Sequence, residues 1–311
     1  MEFGAVFPTC DLGNDPVAIR DFAQAAEDLG YAHLLIYDHV LGAAHEHRTP
    51  PLTGPYTERD PFHEPMVLLA YLAGLTSRIG LATGVLVLPQ RQTALVAKQA
   101  AELSILSRGR FRLGVGSGWN PVEYQALGVP FGDRGDRLEA QISLLRRLWS
   151  EPLVELSDPF HRVDRASILP RPESPIPIWF GGMGARPLRR AARLGDAFTF
   201  GASHRPIREA AARLRAELER SGRADVTFGI ETQLAFGLGQ GAWQRAVEHW
   251  EPLGLTHLSV RTMSTGAAWS AERDPGFTRP GEHVAALEQF IRSLRSVEPP
   301  PRPSSGLVLF S

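Results

Sequence analysis

Cysteine is nearly absent from this 311-residue chain. Cys10 stands alone, which excludes an internal disulfide and a cysteine-rich zinc module. Lysine is as scarce: Lys98 is the only one among 33 basic residues, so positive charge resides on arginine, beside 30 glycines and 25 prolines. A GC-rich coding sequence explains that bias more simply than a function does. Neither sign of charge dominates. With 34 acidic residues the formal net charge is −1, leaving no whole-molecule basic field to hold nucleic acid or an anionic membrane. No apolar run approaches the roughly 20 residues of a membrane span. Met1-Glu2-Phe3-Gly4 carries neither the basic nor the apolar region of a signal peptide, so a soluble, cytoplasmic protein is expected. What remains, 43% hydrophobic and 22% charged residues, is ordinary globular composition.

Short β-branched or apolar runs alternate with longer segments of helical period. The first strand is expected over 3–7, and Asn14-Asp15-Pro16 then supplies a cap and a proline suited to a first helical turn. Phe22, Ala25, Ala26 and Leu29 follow at i, i+3, i+4 and i+7, and Gly30 ends that helix. Further strands are expected over 33–37, 79–88, 110–116, 176–180, 197–200, 226–236 and 257–261, with helices between them, among them 64–75, 93–106, 185–194 and 207–220. About eight β-then-α units without hairpin signals imply parallel strands joined by helical crossovers. Their total suits an α/β fold of the (β/α)8 TIM-barrel type, with a doubly wound open sheet as the competitor that alternation alone does not exclude. One barrel domain is expected over 1–297, followed by a proline-rich tail, 298–311. The long connections 41–62, 151–174 and 261–281 would lie at or beside the carboxyl face of such a barrel, where active-site loops sit.

Several chemistry-bearing residues fall just after strands, as a barrel site requires. Asp38-His39 ends the second strand, Thr83-Gly84 lies in the third, 114–119 leaves the fourth, and 181–186 joins the fifth to its helix. Asp38 and His39 also read as a plain turn cap and a loop histidine, and the glycine-rich segments as tight turns. Yet Gly181 to Arg186 opens a helix, where exposed N–H groups and the dipole favour a phosphate that glycine lets approach the backbone. No metal is expected: His45-Glu46-His47 lacks a third ligand at usable spacing. A serine nucleophile elbow and a dinucleotide fingerprint both fail on the spacing of Gly114 to Gly118.

At these positions the sequence resembles the bacterial luciferase-like monooxygenase superfamily, and within it the actinobacterial coenzyme F420-dependent oxidoreductases. The resemblance is carried by 34–42 with Asp38-His39, by 76–89 with Thr83-Gly84, and by 97–101 and 106–119. Glu123-Tyr124, 127–131, 177–182 and 194–197 continue it, and beyond about residue 200 it rests on topology. It implies a barrel holding F420, or alternatively FMN, at the carboxyl face. On the same ground Asp38 and His39 contact the deazaflavin; histidine's ordinary titration near neutrality makes His39 the choice for the proton transfer, with Asp38 to orient it. Thr83, Gly84 and Val85 lie against the ring, with a cis peptide at Gly84–Val85. Gly116, Ser117, Gly181, Gly182 and Gly184 hold the cofactor's side chain and phosphate. Three positions depart from the pattern: Trp119 stands where some relatives have glutamate, which argues against sugar-phosphate oxidation, and Gln92-Thr93 and Ser104 differ away from the site. Arg261 and Trp269 are candidates to line the substrate pocket. The implied activities are hydride transfer between F420 and a small organic molecule or, as the alternative, FMNH2-dependent monooxygenation served by a partner flavin reductase. A cofactor-free binding barrel is the reading from another class. A homodimer is expected by analogy.

Overall fold

The structure, a computed structural model, describes residues 1–201, 207–267 and 273–295. The tail 298–311 and Trp269 lie outside the described residues. Eight parallel strands close a barrel: β1 (Glu2–Val6), β2 (His33–Ile36), β3 (Gly80–Thr83), β4 (Phe111–Gly116), β5 (Ile178–Gly181), β6 (Ala197–Phe200), β7 (Gly229–Ala235) and β8 (His257–Arg261). Each strand pairs with the next, and β8 returns to β1 with Glu2 opposite His257 and Val6 opposite Arg261. Closure decides for the barrel against the doubly wound sheet.

Local chemistry starts the helices where expected. The Asp15 carboxylate accepts from the Val17 amide at 2.9 Å, and Pro16 opens helix Pro16–Asp28. Glu27, near the end of that helix, gathers the amides of Ser77, Arg78 and Ile79 and so fixes the entry into β3. The third strand departs from a continuous run over 79–88. β3 stops at Thr83, the Gly84–Val85 peptide is cis as the resemblance implies, and the chain resumes as Leu86–Val87 beside Val115 and Gly116. A 3-10 turn, Leu88–Gln90, follows. The connection 151–174 is likewise no plain loop. It forms an antiparallel hairpin, Val154–Ser157 with Arg162–Ala166, on the outside of the barrel. Its tip reaches the start of helix Thr93–Leu106, where His161 Nε2 meets the Thr93 hydroxyl at 2.7 Å. None of its residues lines the cavity described below.

The two faces of the barrel differ in chemistry. Outward residues such as Leu34, Ile36, Leu81, Leu113, Phe198 and Leu258 are fully buried against helix residues including Phe22, Leu72 and Phe290. Each such side chain contributes roughly 1.5–3 kcal/mol by leaving water. Inward positions combine small and polar residues with a short apolar layer, Val6, Leu35 and Ala82 packed with Met263. His33 Nε2 lies 2.6 Å from Glu231 Oε1, and the Ser259 hydroxyl donates to the same oxygen at 2.6 Å. Gly4 leaves them room, since a Cβ there would fall 2.3 Å from His33 Nε2. Below them His257 packs edge-on to Trp179, over which the Arg112 guanidinium lies at 4.1 Å. Burial, aided by the charge of Arg112, lowers the His257 imidazole from 6.5 to about 4. Between those values the unfolded chain binds a proton that the folded chain does not, so stability falls as pH drops through that window. Thermal denaturation is expected to show Tm declining from pH 6.5 to 4, and His257→Gln to flatten that decline. An unchanged slope in the variant would contradict it.

Candidate active site

The carboxyl ends of the strands open into a cavity of about 360 Å³. Its floor is built from backbone. Val85 lines it, and a Cβ at Gly116 or Gly181 would fall 2.5 or 2.7 Å from one of the Val85 methyl groups. A Cβ at Gly84 would meet the Leu35 side chain at 2.3 Å. Only glycine at 116 and 181 lets the β-branched Val85 sit where strands β4 and β5 would otherwise crowd it, and glycine at 84 spares Leu35. At the rim, Gly182 has φ +141° and Gly184 φ +87°, and Gly184 precedes helix Ala185–Leu194 without a side-chain cap. Thr199 also lines the cavity, and its buried hydroxyl has no partner among the described residues.

His39 stands on the wall. Its Nδ1 faces Glu123 Oε2 at 3.2 Å, while Nε2 has no hydrogen-bond partner among the described residues. The rings of Tyr56, Phe62 and Trp119 surround it edge-on, with centroids 5.4, 5.0 and 5.7 Å away. Glu123 is held in turn: its Oε1 accepts from the amides of Val40 and Leu41. Burial alone would raise the Glu123 carboxyl, but the bond and charge of His39 and the Val40 amide outweigh it and hold the group below its ordinary value. A carboxylate on Nδ1 selects the tautomer with its proton there and leaves Nε2 a lone pair facing the cavity.

Asp38 is placed otherwise than its adjacency to His39 suggests. Its side chain is fully buried, with Oδ1 accepting from Arg91 Nη2 and Oδ2 from the Val87 amide, both at 2.8 Å. Arg91 also reaches Glu64 at 2.7 Å. Asp38 therefore braces the chain after the break in the third strand, and the orienting carboxylate is Glu123. Of the residues expected to touch the cofactor, Asp38, Gly84, Val85, Gly181 and Gly182 line the cavity. Thr83, Gly116, Ser117 and Gly184 do not. The Thr83 hydroxyl donates to the Gly114 carbonyl at 2.7 Å, tying β3 to β4, and the Ser117 carbonyl accepts from the Tyr124 hydroxyl at 2.8 Å. Arg261 lines the cavity beside Tyr37, whose hydroxyl donates to Gln233. The segment 41–62 covers one side, with Gly54 lying so flat on Trp119 that a Cβ would overlap the ring. Arg91, Tyr56 and Gln233 carry no signal in the sequence that marks them for this site, and Glu123 enters only as part of the family pattern, with no role attached to it.

Comparison with known proteins identifies the family. A glucose-6-phosphate dehydrogenase of Intrasporangium calvum, F420-dependent by name, is 32% identical over 298 residues, covering 89% of this chain and 86% of that one. An uncharacterized Mycobacterium tuberculosis protein is 35% identical over 205 residues, 65% of this chain and 71% of the other. Among solved structures, a monooxygenase from Streptomyces bottropensis superposes with TM-score 0.74 at 19% identity, covering 95% of this chain and 99% of that one. An F420-dependent secondary alcohol dehydrogenase bound to an F420–acetone adduct gives 0.69 at 14% identity, covering 94% and 99%. These two likenesses show the shared fold. Residues 1–290 match the luciferase-like monooxygenase family, and the chain belongs to that family of oxidoreductases.

Proposed function

We propose that this protein is an F420-dependent oxidoreductase that moves a hydride between the deazaflavin and a small organic substrate. The observation that carries the reading is His39, tied at Nδ1 to a carboxylate and open at Nε2 to the cavity. F420-dependent relatives near 30% identity support the choice of cofactor. The site suits a flavin or deazaflavin: Gly84, Gly118, Gly181 and Gly182 line it without side chains, and the buried Thr199 hydroxyl beside them has no partner among the described residues. Gly84, Val85 and Gly181 would underlie the ring. Gly182, with the uncapped start of helix Ala185–Leu194, would take the phosphate. When bound, the deazaflavin supplies or accepts the hydride at a ring carbon and, unlike a flavin, reacts poorly with oxygen.

The rest is the protein's own work. Nε2 of His39 accepts the substrate's proton in the oxidising direction and returns it in the reducing one. Glu123 holds the imidazole in the required tautomer and balances its charge while it carries that proton. Tyr56, Phe62 and Trp119 exclude water from around it. Redox turnover of the deazaflavin with candidate alcohols and carbonyl compounds tests the reading. Rates equal in air and under nitrogen, without oxygen uptake, are expected. Stoichiometric oxygen uptake with reduced FMN would make the protein a monooxygenase instead.

The rim loop gives a separate expectation. Valine at Gly182 would have to hold φ +141°, a strain of about 1–3 kcal/mol, where the phosphate approaches the backbone. Gly182→Val is therefore expected to weaken cofactor binding on the order of tenfold in a fluorescence titration. Wild-type affinity in this variant would remove the loop from the cofactor site.

A further inference from the structure

Arg261 ends strand β8 and lines the cavity, although the chemistry above gives it no part. Among the described lining residues it is the only arginine or lysine, and the only carboxylate there, Asp38, is matched by Arg91. The residue is 4% exposed, and its Nη1 donates to the Thr265 carbonyl over a long 3.4 Å. A guanidinium carries five N–H groups, so contacts within its own loop do not exhaust the fork. Neutral donors gather beside it. The Gln233 carbonyl oxygen accepts from the Tyr37 hydroxyl, which leaves the Gln233 amide nitrogen a donor with no partner among the described residues. The Tyr56 hydroxyl likewise has no partner among them. Tyr56 Oη and Arg261 Nη1 each lie 3.7 Å from where a Cβ on Gly266 would stand, so they converge on one corner that glycine keeps open. Burial keeps both phenols protonated, pushing Tyr37 up to about 12 and Tyr56 well above its usual value. The Asp11 carboxylate is taken by the Ser264 amide and the Thr265 hydroxyl, each at 2.7 Å.

We infer that the corner formed by Arg261, Gln233 and Tyr56 binds a carboxylate of the substrate, which is therefore a hydroxy acid or the corresponding oxo acid. Arginine's planar fork takes a carboxylate through two parallel bonds, and the amide and phenol donors reach lone pairs that the fork leaves over. A phosphate monoester carries about −1.5 to −2 charge and would need a second cation, which the described lining lacks. Tyr56 ties this corner to the reaction: its hydroxyl stands at the corner while its ring lies edge-on to His39, with centroids 5.4 Å apart. An acid held there brings a carbinol a few bonds from its carboxylate up to His39 Nε2. The carbinol carbon gives its hydride to the deazaflavin and the hydroxyl gives its proton to Nε2, leaving an oxo group and an unchanged carboxylate. That reaction rests on the F420 reading, whereas the binding corner stands on the cavity wall alone.

Calorimetric titrations of the protein, with and without F420, compare pyruvate and levulinate with their methyl esters, which keep the oxo group and lose the charge. At least one acid is expected to bind about tenfold more tightly than its ester. Arg261→Gln is expected to erase that difference. Arg261 is buried at the end of a barrel strand, so Tyr56→Phe is the companion variant: it keeps the ring, removes one donor, and is expected to weaken binding of the acid more than that of the ester. Equal affinities for acid and ester, no binding of either acid, or an acid preference that survives Arg261→Gln would overturn the carboxylate corner. Tighter binding of glucose 6-phosphate than of either acid would make the anion a phosphate and overturn it too. An acid preference in a protein that binds no F420 would overturn the F420 reading and leave the corner standing.

Discussion

Replacing His39 by alanine is expected to reduce turnover by about 10²–10⁴-fold while leaving cofactor affinity within a few-fold. The split follows from the geometry. The imidazole presents Nε2 to the cavity and takes no part in the glycine loop proposed for the phosphate. Its loss removes a positioned proton acceptor and nothing that the cofactor's anionic end would need. The ring also supports Tyr56, Phe62 and Trp119, so His39→Gln, which keeps more of that volume, is the companion variant. Both variants are expected to be slow at saturating substrate. Wild-type kcat in either would remove His39 from the chemistry.

Glu123→Gln is expected to be nearly as damaging, although Glu123 faces His39 rather than the cavity. A glutamine Oε1 can still accept from Val40 and Leu41, so the local backbone is retained. Its amide group would then point at Nδ1 and force the imidazole proton onto Nε2, the wrong tautomer for accepting a proton from substrate. In a serine-protease triad the equivalent carboxylate-to-amide change costs about 10⁴ in kcat; here we expect between about 10² and 10⁴. Tm measured in parallel separates this from unfolding, and Glu123→Asp, which restores the charge, is expected to recover part of the rate. A Glu123→Gln enzyme with normal kcat and normal pH profile would show that the carboxylate only supports the loop 40–41.

The strands were legible because burial is written into their composition. Runs such as Leu34-Leu35-Ile36 and Ala197-Phe198-Thr199-Phe200 are buried on both faces, as parallel barrel strands must be. The hairpin on the outer wall escaped for the opposite reason: Glu155, Ser157, Arg162 and Asp164 are exposed or only partly buried on a two-stranded ribbon, so apolar alternation is faint there. The site was half legible. His39 and the glycine loops announce themselves by following strands. Glu123 belongs to the family pattern, but it lies 84 residues from His39 and its role there reads as that of a first-turn acid after Asn120-Pro121, which it also is. Asp38 misled by adjacency. Successive side chains diverge along an extended segment, so Asp38 pairs with Arg91 while His39 finds a carboxylate elsewhere. Thr83 and Gly116 were expected beside a ligand and instead serve the barrel, one fastening two strands and the other making room for Val85.

Which cofactor the glycine-lined cavity accepts decides the chemistry of the protein. Parallel equilibrium titrations of the purified protein with F420 and with FMN test this most directly. Saturable binding of one F420 per chain is expected, at least about tenfold tighter than FMN. Tighter binding of FMN, or failure to bind either, would contradict it.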